Sequence, residues 1–141
     1  MKKKQVILAA IMILAAVNLS HAQFFFPSLA KFSPAKKECI ERNYAADLSS
    51  ECTGIVESAL AVVTMVKLDL PADELPILKE KIENLVITGA TPVIRYKAYL
   101  AGTVFTNPTM FKRESLRSYS NPDEFFNALA GTLSQTLFSL K

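Results

Sequence analysis

Few residues in this chain of 141 have the types and spacing that chemistry requires. The single histidine, His21, is the only imidazole on offer for a proton shuttle, a catalytic triad or a zinc site. Cys39 and Cys52, with twelve residues between them, are the only thiols. Two segments, Ser28-Leu29-Ala30-Lys31 and Ser33-Pro34-Ala35-Lys36, match the S-x-x-K spacing that sets a lysine one helical turn from a nucleophilic serine. Neither is accompanied by an S-D-N or K-T-G element, and Ser33 before Pro34 is better explained as a helix cap. The acidic residues are scattered, with no aspartate-rich calcium loop and no spacing suited to acid-base work, and no glycine-rich phosphate loop is present. These residues point to a non-enzymatic protein with no cofactor and no metal site.

His21 belongs to a segment with a logic of its own. Lys2, Lys3 and Lys4 make a basic start, Val6 to Val17 is continuously apolar, and Ser20 and Ala22 are the small residues of an A-x-A-like cleavage site. The apolar run is about twelve residues long, against the ~20 that a helix needs to cross a bilayer. Residues 1–22 therefore read as a secretory signal peptide, cut before Gln23, and the mature chain is expected in the periplasm or the extracellular space with no stable membrane span. No cysteine lies near the cut to accept a lipid.

Export changes what the remaining residues can do. Of sixteen Lys and Arg against thirteen Asp and Glu, three lysines leave with the signal, so the mature chain balances thirteen against thirteen and has lost its histidine. A neutral surface offers no electrostatic footprint for nucleic acid, which is excluded as an expected partner. In an oxidising compartment Cys39 and Cys52 are expected to form a disulfide, worth ~3 kcal/mol in the loop-entropy picture. One helix running through both would hold their Cα atoms roughly 20 Å apart, beyond the ~7 Å limit of a bridge, so the pairing demands a turn between them. Asp47, Ser49 and Ser50 are the residue types that supply one. The alternative is a pair of buried free thiols.

The elements that must position these residues are helical. A capping residue followed by proline occurs four times, at Ser33-Pro34, Thr91-Pro92, Asn107-Pro108 and Asn121-Pro122, the last followed by Glu124 in capping-box register. After an extended segment over 23–33, apolar spacing predicts helices over 34–44 (inward Cys39, Ile40, Tyr44), 50–67 (Ile55, Val56, Ala59, Leu60, Val62, Val63, Val66) and 73–88 (Leu75, Leu78, Ile82, Leu85, Val86). Two more follow over 92–105 (Ile94, Ala98, Ala101, Phe105) and 122–140 (Phe126, Leu129, Leu133, Leu137, Leu140), and 109–116 is ambiguous. The second helix leaves only Glu57 and Thr64 on a narrow polar side, and Gly89 is placed to cap the third. No strand is needed. The expected fold is a single all-α domain over 34–141, built of antiparallel helical hairpins.

Offsetting the second helix by 39 residues pairs Ile55 with Ile94, Ala59 with Ala98, Val62 with Ala101 and Val66 with Phe105. A period near 40 with two helices per unit marks helical solenoids. The segment from Leu78 to Ala101 resembles a HEAT repeat: an amphipathic helix with Leu78, Ile82 and Leu85, a short turn, then Ile94-Arg95-x-x-Ala98 where that family carries Val-Arg-x-x-Ala. It departs from the family in having Thr88 or Thr91 for the turn aspartate and Gly102 for a leucine. The resemblance covers about half of the mature chain and implies a short HEAT-like array of the exported bacterial kind, or else a compact bundle, with a scaffold-like role.

Arg95, Tyr96, Tyr99 and Thr103 gather on the outer side of the fourth helix and form the expected interaction surface, because Tyr and Arg anchor interfaces. The competing reading makes Arg95 a brace between helices. Phe24-Phe25-Phe26 is either an exposed anchor or a segment folded across the helices. The expected function is a protein-interaction module with a protein partner in the cell envelope. The alternative is a carrier of a small apolar ligand in a groove lined by Val104, Phe125 and Phe138.

Overall fold

The computed structural model describes residues 31–111, 116 and 119–139, and every regular element among them is helical. The segment 1–22, Phe24 to Phe26 and Leu140 lie outside the described residues. Five α-helices follow one another: α1 (Pro34–Asp47), α2 (Thr53–Asp69), α3 (Pro76–Thr88), α4 (Pro92–Thr106) and α5 (Pro122–Ser139). The fold is all-α, as the apolar spacing predicts.

The proline caps start helices for the reason that makes them recognisable. The Ser33 hydroxyl accepts from the Lys36 amide and the Thr91 hydroxyl from the Ile94 amide, while Pro34 and Pro92 occupy first-turn positions whose N–H would be orphaned anyway. At α5 the Asn121 side chain accepts from the Glu124 amide at 2.9 Å, and the Glu124 carboxylate reaches back to the Ser120 amide at 3.1 Å. Its return arm falls one residue upstream of the usual capping box. Asn107-Pro108 produces only a 3-10 turn, Pro108–Met110, because Phe111 then turns extended and buries its ring.

Packing follows the chain in pairs. α1 and α2 form one hairpin, α3 and α4 a second; α1 lies against α3, α2 against α4, and α5 packs on both α2 and α4. α2 is thus surrounded, which explains a helix apolar on nearly all sides: Leu60, Val63 and Val66 are fully buried with Leu78, Ile82, Ile94, Ala98, Val104, Phe125 and Leu129. Every inward residue predicted for α4 is buried.

Several details depart from the sequence expectation, beginning with the bounds of the first hairpin: α1 runs to Asp47 rather than to 44, and α2 starts at Thr53 rather than at 50. α1 buries Glu41, Leu48 is buried at its C-cap, and Cys39 is exposed. In α2, Ile55 lies exposed in the first turn, whereas Thr64 is completely buried; its hydroxyl donates to the Leu60 carbonyl at 2.6 Å, which removes most of the cost of burying it. α3 begins at Pro76 rather than at residue 73, because Leu75 stands in the left-handed region at φ 48°. The apolar stripe of α5 outruns the body: Phe126 and Leu129 are buried, while Leu137 is 57% and Phe138 75% exposed. Gly89 ends α3 without a left-handed turn, yet only glycine fits, since a Cβ there would stand 2.7 Å from the Leu85 carbonyl oxygen and 2.9 Å from Ile94.

Candidate functional site

Residues 95, 99 and 103 of α4 follow one another by single helical turns, and residue 96 lies beside them, so the four cover about 100° of the helix circumference. The opposite side is held inward. Lys97 bonds to Glu57 of α2, and Phe105 lies 5.9 Å from the Lys67 ammonium of α2, which places α2 directly across α4 from the four residues. Tyr96 is 54% and Tyr99 52% exposed. Thr103 is half-buried and donates to the Tyr99 carbonyl at 3.0 Å. Arg95 differs from the rest: its Nη1 donates to the Gly89 carbonyl at 2.7 Å, closing the α3–α4 turn. The structure therefore makes Arg95 the brace of the surface, and Tyr96, Tyr99 and Thr103 the surface itself.

The internal offset gives this surface a counterpart. Thr53 and Pro92, the first residues of α2 and α4, are 39 positions apart, and Ala59/Ala98, Val62/Ala101 and Val66/Phe105 are all buried pairs; Ile55, exposed where Ile94 is buried, is the exception. On the other flank the counterparts of Tyr96, Tyr99 and Thr103 are Glu57, Leu60 and Thr64. Glu57 reaches α4, and Leu60 and Thr64 have no exposed surface at all. The flank that α4 covers on α2 is the flank left open on α4 itself.

Two charged fastenings, neither evident in the sequence, hold α4 and α3 in place. The buried Lys97 ammonium bonds to Glu57 of α2 and, at 2.5 Å, to Asp123 of α5, with the Phe126 ring centroid 5.8 Å away. Burial alone would lower its pKa, but the hydrogen bonds to Asp123 and Glu57 outweigh that and hold it above the ordinary lysine value. A lysine kept protonated in this way is a clamp between three helices and no nucleophile.

At the other end of the hairpins, buried Glu41 of α1 accepts from the Ile77 and Leu78 amides at 3.0 and 3.3 Å, capping α3 across 36 residues of chain. Lys37, one turn earlier, pairs with Asp73 at 2.6 Å. Lys67 donates to the carbonyls of Pro71 (3.1 Å) and Asp73 (2.5 Å); burial lowers its pKa, against the opposing charge of Asp73. The signal that could have found Glu41 was negative: Leu75-Pro76 opens a helix with no polar cap of its own.

The expected Cys39–Cys52 bridge is absent, and so are buried thiols: both cysteines are free and exposed. The turn that the bridge needed does form after Asp47, but Cys39 sits eight residues before the end of α1, about 12 Å along the axis at 1.5 Å per residue. It also lies on the side of α1 away from Glu41 and Leu48, while Cys52 is the N-cap residue of α2 and makes no side-chain cap hydrogen bond. The pairing would require unwinding α1.

Val104 and Phe125 are buried and Phe138 is exposed, so the three do not line one groove. Among the described residues no group of three or more His, Cys, Asp and Glu could hold a metal ion, and no helix is long and apolar enough to cross a membrane. The chain matches no protein family, no curated protein and no solved structure.

Proposed function

We propose that the protein is an exported, non-enzymatic interaction module that engages a protein partner in the cell envelope through the outer flank of α4. The observation that carries this reading is the pair Tyr96 and Tyr99, both more than half exposed on the flank of α4 opposite its buried Lys97, Ala101, Val104 and Phe105. Tyrosine combines a large apolar ring with a polar tip at low side-chain entropy, which is why it recurs at the centres of binding interfaces. Their position adds to the argument: the matching flank of α2 is covered by a helix, and in a HEAT-like stack the open flank of the last unit is where the next helix would lie. The packing of α1 on α3 and of α2 on α4 supports that array. A helix presented by the partner is the occupant that fits.

Export rests on residues 1–22 and is tested by the N-terminus of the protein recovered from outside the cytoplasm, which should be Gln23. The binding reading is tested with Tyr96→Ser/Tyr99→Ser. The double variant should keep the circular dichroism and melting temperature of the parent and lose the envelope protein that the parent retains. Retention of the same protein by both would remove α4 from the account.

A further inference from the structure

Where the α1–α2 turn meets the α3–α4 turn, the two hairpins leave a half-open cleft of about 220 Å³. Its floor is apolar, with Leu48, Val56 and Ile94 all buried. Its rim carries opposite charges, Glu51 just before α2 and Lys81 on α3. The other lysines withdrawn from water, Lys37, Lys67 and Lys97, each have partners. Lys81 is half-buried and has none among the described residues; Glu51 likewise has none, and the two do not pair with each other. Of four lining hydroxyls, Ser49 and Thr88 donate to the Ala45 and Asn84 carbonyls, and two keep a free O–H among the described residues: Ser50, whose oxygen accepts from the Cys52 amide, and Thr53.

An anion alone would answer Lys81 and leave Glu51 beside a second negative charge; a cation alone would do the reverse. A molecule carrying both charges answers both at once, and the apolar floor asks for a hydrocarbon group branching beside them. The space equals about seven water molecules at ~30 Å³ each, which limits the occupant to around ten non-hydrogen atoms. We propose that this cleft binds a small zwitterion of the α-amino acid class with an apolar side chain. Its carboxylate faces Lys81 and the Thr53 hydroxyl, its ammonium faces Glu51, and its side chain lies on Leu48, Val56 and Ile94. This site is separate from the Tyr96/Tyr99 flank and does not depend on it.

L-leucine is the first probe, titrated into the isotopically labelled protein and followed by amide chemical shifts. The expected result is a saturable shift at Ser50, Thr53, Thr88 and Ala90. Lys81→Met and Glu51→Gln should each weaken binding about tenfold, the loss of one charge-assisted hydrogen bond. Because neither residue has a partner among the described residues, both variants should keep the parent spectrum away from the cleft. 4-Methylpentanoate, which lacks the ammonium, should bind the parent protein about tenfold more weakly than leucine and lose nothing further in Glu51→Gln. No saturable shift at roughly 10 mM leucine, or leucine binding unchanged in both variants, would overturn the proposal.

Discussion

The same stripe of helix meets two fates in this molecule. On α2, Glu57, Leu60, Thr64 and Lys67 are drawn into the body: Leu60 and Thr64 lose all contact with solvent, and the two charges are met by partners. On α4, thirty-nine positions later, Tyr96, Tyr99, Thr103 and Thr106 stand in the same register and face outward. The difference lies in what stacks next. α4 covers the stripe on α2, and no described helix covers the stripe on α4. The residue types agree with the difference: a covered stripe carries aliphatic carbons and paired charges, whereas an open one carries rings with hydroxyl tips that tolerate water.

The comparison breaks most sharply at its centre. Leu60→Ala should cost about 3 kcal/mol in denaturant unfolding, the usual penalty for a buried leucine cavity, whereas Tyr99→Ala at the equivalent position should cost under about 1 kcal/mol. Equal losses would mean that the two flanks are buried alike. Lys97→Met, which removes the clamp across α4 from the open flank, should cost ~2 kcal/mol, less than a fully buried pair because Asp123 reaches water.

That loss carries a pH signature. The folded-state pKa of Lys97 is raised, so its contribution is fully present below the unfolded lysine value of 10.5 and is lost as pH rises through the folded value. The gap in stability between the parent and Lys97→Met should therefore be constant near neutrality and narrow only above about pH 10.5. Glu41→Gln, which weakens the cap on α3, should cost a further step down, ~1 kcal/mol, and should raise amide exchange at Ile77 and Leu78 before it does so in α4.

How much of this was legible in the sequence depended on the range of the interaction. Ser33-Pro34, Thr91-Pro92 and Asn121-Pro122 act within three residues, so the starts of α1, α4 and α5 could be read directly. The start of α3 could not, since its cap comes from Glu41 in another helix and its entry depends on Leu75 holding a left-handed backbone. The tyrosine flank was visible because the inner residues of α4 are so regular that the remainder had to face out. Glu41, Thr64, Lys67 and Lys97 were not, because polar residues are read as solvent-facing until the partner that buries them is known. Cys39 failed for a related reason: compartment chemistry argued for a bridge, and the outward face of α1 overrode it. With both thiols free, iodoacetamide applied to the native protein without reductant should add two adducts by mass; none would restore the disulfide.

The most direct test of the open flank is site-specific photo-crosslinking in envelope extracts. A benzophenone side chain placed at Tyr99 should trap a single partner band that the same side chain at Asn43, exposed on the outer face of α1, does not. Trapping of the same band from both positions, or from Asn43 alone, would contradict the assignment of α4 as the binding surface.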